Sequence, residues 1–142
     1  MTDDRFAKAW RTTAVKRGVA LGALTGDAFA ATLAAASLTI PADATLAERD
    51  VNEHLRTWLA GPGAMLATDH VELRRWLVDL KFVERDGYGR AYRRSEPPAA
   101  MAAAVAAMAA IDPGAVAAEA RASHARERTE RRARHEARGS EG

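Results

Sequence analysis

A chain of 142 residues has room for one small domain with extensions. Ala supplies 35 residues and the larger apolar types 33, of which 21 lie between Phe29 and Tyr92 and none beyond Val116, so only the middle can bury a dense core. Net charge is +2, there is no Cys, the four His never fall at i, i+4, and no apolar run approaches the ~18–20 residues of a membrane span. Disulfide scaffolds, thiol catalysis, helical metal sites and membrane insertion therefore have no basis in the sequence. Arg outnumbers Lys 18 to 3. That bias and the Ala content are read as the imprint of a GC-rich genome, not as a functional signal.

In chain order, Phe6, Trp10 and Ala14 recur at i, i+4, i+8 and predict an amphipathic first helix, with Lys8, Arg11 and Arg17 off its stripe. Gly18, Gly22 and Gly26 loosen the next stretch. Lys16-Arg17 before an apolar run imitates a secretory leader, but cleavage near Ala30 would cut the second predicted helix, and a cytoplasmic location is expected. That second helix starts at an Asp27 N-cap, faces inward with Phe29, Leu33 and Ala36, and stops before Pro41. Thr45-x-x-Glu48 reads as a capping box opening a third helix with Leu46, Val51, Leu55, Trp58 and Leu59 inside, ended by Gly61-Pro62-Gly63. Asp69-x-x-Glu72 opens a fourth, whose stripe is Leu73, Trp76, Leu77 and Leu80.

After Leu80 the apolar period shortens. Residues 82–85 and 90–94 read as two strands around an Asp86-Gly87 turn, which must lie on the helices because a lone hairpin is marginal in water. Pro97-Pro98 closes this unit. An Ala-rich helix with Met101, Val105 and Met108 follows, and Asp112-Pro113 restarts a last helix whose residues 119–142, with seven Arg and five Glu, read as solvated or disordered. The expected organisation is an N-terminal helix and linker (1–26), a domain at 27–95, and C-terminal helices (96–142). The fold class is α+β, mainly α with a small β-hairpin. Three helices and a basic hairpin follow the plan of a winged helix, with helical N- and C-terminal extensions.

Three strings carry a family resemblance. Leu46-Ala-Glu-Arg-Asp-Val-Asn52, Leu73-Arg-Arg-x-Leu-Val-Asp79 and Glu84-Arg-Asp-Gly-x-x-x-x-Tyr-Arg-Arg94 resemble an uncharacterised bacterial domain family, found alone or fused to helix-turn-helix regulators. The resemblance spans about residues 31–94. The chain departs from the family pattern at Leu46 (usually Tyr), Ala47 (usually Thr or Ser) and Lys81 (usually Gly). It implies the fold and an association with transcription, and it brings no catalytic residues.

From His70 to Arg94 seven basic side chains face four acidic ones, a local basic patch of the kind a nucleic-acid backbone attracts. The candidate contacts to double-stranded DNA are His70, Arg74 and Arg75 on the fourth helix, the recognition helix at 69–81, with Arg85, Arg90, Arg93 and Arg94 on the hairpin wing at 82–94. Arg75 alternatively pairs with Asp79 one turn on. Arg90 and Arg94 share strand parity with the core residue Tyr92, which offers one of them a place over the core, and Arg85 and Arg93 are expected to face away from it. No phosphate loop and no Ser/His/Asp constellation is present, so no enzyme, cofactor or metal is expected. The second expectation is a protein-interaction module on the same scaffold, with the C-terminal helices as partner-binding arms; Arg74 and the hairpin arginines discriminate, favouring DNA if exposed and convergent on one face and protein if paired internally.

Overall fold

The computed structural model describes residues 4–141. The elements are α1 (Arg5–Ala14), a short 3-10 turn (Leu21–Ala23), α2 (Gly26–Ser37), β1 (Thr45–Ala47), α3 (Glu48–Ala60), α4 (His70–Asp79), β2 (Val83–Arg85), β3 (Ala91–Arg94), α5 (Ala99–Ala109) and α6 (Pro113–Glu141). The α+β class holds, with one three-stranded antiparallel sheet in the order β1-β3-β2.

α2 is the centre of the molecule. Every residue from Ala30 to Ser37 is buried, although the sequence pattern assigns this helix a single inner face. Five of these eight residues are Ala, and without long side chains α1 and α5 can approach α2 closely on different sides. α1 contributes Phe6, Trp10 and Ala14, as its period predicts. Trp10 is fully buried, stacks on Trp58 of α3 with ring centroids 6.1 Å apart, and donates from its indole N–H to the Pro113 carbonyl at 2.9 Å. A buried indole needs that acceptor, and here it ties the first helix to the last.

Two helix starts differ from the sequence reading. α2 begins one residue before Asp27, after an extended Thr25, so Asp27 sits in the first turn instead of capping it. Thr45 caps nothing: it lies in β1, paired with Arg93, while α3 starts after Ala47 without a side-chain cap. The added strand is the reason. Leu46 pairs with Tyr92 across the sheet, which holds residues 45–47 extended through backbone bonds that no local sequence pattern announces. The second box keeps its N-cap, since Asp69 Oδ1 accepts from the Glu72 amide at 2.8 Å. Its reciprocal half is replaced: Thr68, not the Asp69 backbone, donates to the Glu72 carboxylate.

At the far end of α4, Lys81 adopts φ +67°. Its amide bonds the Val78 carbonyl and the Phe82 amide bonds the Leu77 carbonyl, the paired bonds of a Schellman ending. The tight turn into β2 therefore forms without the family's Gly. α6 runs on as one continuous helix. Its residues 126–139 are exposed, as a charged tail should be, but docking continues past Val116 through buried Ala117 and Ala120 to Arg121. No single helix among the described residues is long and apolar enough to cross a membrane.

Candidate nucleic-acid interface

α4 and the hairpin β2–β3 meet at an angle fixed by the Schellman turn and by Phe82, Val83 and Tyr92, all buried. Leu73 and Leu77 hold α4 to the core. The opposite face of α4 carries Val71, Glu72, Arg75 and Asp79, all exposed. Trp76 is half-buried rather than core, its ring edge-on to Phe29 at 5.5 Å. The hairpin turn is set by Asp86, whose carboxylate accepts from the Tyr88 and Arg90 amides at 3.2 and 2.8 Å, while Gly89 takes φ +67°. These amides, that of Arg90 foremost, hold the Asp86 carboxyl below its ordinary pKa although the group is exposed.

The seven candidate arginine and histidine positions separate into three groups. Arg74 is withdrawn. Its side chain is 19% exposed, its Nη2 lies 3.3 Å from Glu48 Oε1, its Nη1 donates to Asn52 Oδ1, and its guanidinium sits 5.7 Å from the Tyr92 ring centre. The Tyr92 hydroxyl donates to the same Glu48 carboxylate, so α3, α4 and β3 are tied through one polar cluster. Glu48 and Asn52, which received no interfacial role from the sequence, are its other members. Arg93 and Arg94 are engaged as strand parity implies: Arg93 faces out and pairs with Glu84 at 3.0 Å, and Arg94 turns over the core to donate to the Ile40 carbonyl. His70 is half-buried at the start of α4 and accepts at Nε2 from Arg56 at 3.3 Å.

The third group is free. Arg75 and Arg85 are exposed and have no hydrogen-bond or ion-pair partner among the described residues; the Arg75–Asp79 pair that the spacing offers does not form. Both line one concavity of about 290 Å³ between α4 and the hairpin, together with Val71, the paired Arg74, Val78, Asp79 and the rim of Tyr92. Arg85 does not face away from Tyr92 as parity alone suggests: the register sets it directly opposite Tyr92 across the antiparallel pair, on the same face. Arg90, also exposed, has its guanidinium 5.8 Å from the ring centre of Tyr88, which stands 85% exposed at the hairpin tip. Val71 and Tyr88 are the exposed large hydrophobic residues of the described chain, one on each side of this surface.

Residues 27–94 match the model of a family described as "Uncharacterized protein conserved in bacteria (DUF2087)". This segment, just under half of the chain, is similar to that family. The match covers α2 to β3, so the matched segment, the DUF2087 unit, contains the polar cluster, the concavity and the hairpin, and α1, α5 and α6 pack around it from outside. The chain matches none of the curated proteins or solved structures with which it was compared.

Proposed function

We propose that the DUF2087 unit is a winged-helix module that binds duplex DNA, with α4 as its recognition helix and the β2–β3 hairpin as its wing. The observation that carries this reading is the convergence of Arg75 and Arg85, two unpaired guanidiniums from different elements, on one concavity. Unpaired cations around a groove focus an attractive field for a phosphate backbone, and Arg binds phosphate with two parallel donors. The order helix, strand, helix, helix, strand, strand from α2 to β3, with β1 at the edge of the hairpin, supports the same reading. Tyr88 and Arg90 at the wing tip add an aromatic face and a cation beside the groove. The module carries no catalytic step or cofactor, and its place is in transcription-associated DNA binding in the cytoplasm.

Fluorescence anisotropy of a labelled genomic duplex across a salt series tests the proposal. Each phosphate contact adds about −0.9 to the log–log slope, so Arg75→Ala/Arg85→Ala should flatten the slope by about two units. An unchanged slope rejects these residues as backbone contacts.

A second reading has its own observation. Arg74 is spent on Glu48 and Asn52, and on the outer face of α4 Val71, Trp76, Asp69, Glu72, Asp79 and Arg75 line a neighbouring concavity of about 540 Å³. An apolar patch with three acids against one Arg suits a basic amphipathic segment of a protein partner. In that case Val71→Asp abolishes partner binding while Arg85→Ala, outside that concavity, leaves it intact.

A further inference from the structure

On the other side of the molecule, the end of α1, the chain that follows it and the middle of α6 surround a concavity of about 470 Å³. Lys16, Arg17, Arg121, His124 and Arg128 line it, and no carboxylate does. The side chains of Lys16, Arg17, His124 and Arg128 have no hydrogen-bond or ion-pair partner among the described residues. Glu119, half a turn before Arg121 on α6, pairs with Arg11.

Arg121 is the fixed member. Its Nε, Nη1 and Nη2 donate to the carbonyls of Ala14, Gly61 and Pro62 at 2.9, 3.0 and 2.9 Å. Nη2 also donates to Met65 Sδ at 3.5 Å, so one of the five guanidinium donors, on Nη1, remains available, and neither carbonyls nor a thioether neutralise the charge. Burial accordingly pushes its pKa down. The remaining wall is apolar, with Val15, Ala64, Met65 and Ala125 beside the cations. A held cation at the back, unpaired cations at the rim and an apolar wall suit an anion that carries several charges on one end of an organic body.

We propose that this concavity binds a small phosphorylated molecule, its phosphate groups held by Lys16, Arg17 and Arg128 around Arg121 and its organic part against Ala64 and Met65. The site lies outside the DUF2087 unit's α4–hairpin surface and is independent of the DNA-binding reading. Titration calorimetry on the full chain at about 0.15 M salt, where exposed charges are screened beyond ~8 Å, tests it with ATP, inorganic pyrophosphate and inorganic phosphate as probes. ATP should bind at one site, pyrophosphate more weakly and phosphate weakest. Lys16→Ala/Arg17→Ala/Arg128→Ala, all at exposed positions, should weaken ATP binding by about tenfold or more, since each lost charge-assisted bond is of that order. Arg75→Ala/Arg85→Ala should leave it unchanged. Absence of binding by all three probes overturns the proposal, as does equal ATP affinity in the triple variant. It also fails if the triple substitution weakens only a short DNA duplex, which would make the concavity a nucleic-acid contact.

Discussion

Replacing Arg121 by Met should destabilise the protein well beyond what an exposed charged helix suggests. Met keeps the apolar stem and removes three hydrogen bonds, to the carbonyls of Ala14, Gly61 and Pro62. A bond involving a charged group contributes ~1.5–3 kcal/mol and a neutral one ~0.5–1.5, but these carbonyls are only partly buried and water replaces some of what is lost, leaving a net of about 2–4 kcal/mol. At roughly 3 °C per kcal/mol for a chain of this size, Tm should fall by about 6–12 °C. Urea unfolding followed by fluorescence measures the effect directly, because the stacked Trp10 and Trp58 report the junction that Arg121 closes. Arg121→Lys, which retains charge and reaches fewer carbonyls, should fall between Met and the native residue. Deletion of residues 126–142 removes the exposed end of α6 and should change stability by less than about 0.5 kcal/mol, since little apolar area leaves the core. If Arg121→Met is as mild as that deletion, the three carbonyl bonds do not anchor α6 and the reasoning is wrong.

Three further outcomes follow from single residues. Asp69→Ala should destabilise by about 0.5–2 kcal/mol through loss of its cap bond, whereas Thr45→Ala, on an exposed strand position, should change denaturant midpoints only slightly. Lys81→Gly should raise stability by up to about 1 kcal/mol, because relief of a left-handed backbone outweighs the added freedom of the unfolded chain; a decrease would mean the turn is not strained. Asp86 has a folded pKa below the ordinary 3.8, so its contribution is full above that value and is lost as pH falls through the lowered one. The Tyr88 and Arg90 amide resonances should therefore titrate with a midpoint below 3.8 and lose that transition in Asp86→Asn; a midpoint above 3.8 contradicts the turn geometry.

What was legible in the sequence is what is local. The Phe6/Trp10/Ala14 period, the Asp69 cap and the Asp86 turn each depend on residues within one or two turns of chain, and each recurs in the structure. Thr45-x-x-Glu48 has the same local form, yet pairing with a strand more than forty residues away decides its conformation. The Ala content, set aside as a genomic bias, is what lets α2 be buried on every side; a helix with no polar face offers no period from which to read its packing. At the candidate interface the residue types were readable and their partners were not. Nothing near Arg74 in the chain says that Glu48 and Asn52 will claim it, and Arg75 declines the Asp79 that lies one turn away. Arg121 left no trace at all, because backbone carbonyls have no sequence signature.

DNA-induced perturbation of backbone amide and arginine Nε resonances, mapped on the full chain with a short duplex, tests the central claim most directly. The account predicts changes concentrated at Val71, Arg75, Arg85, Tyr88 and Arg90, on the surface shared by α4 and the hairpin, and diminishing together as salt is raised. Changes confined to the exposed arginines of residues 126–139, with α4 and the hairpin silent, would show that the charged tail alone holds DNA and that the DUF2087 unit does not read it.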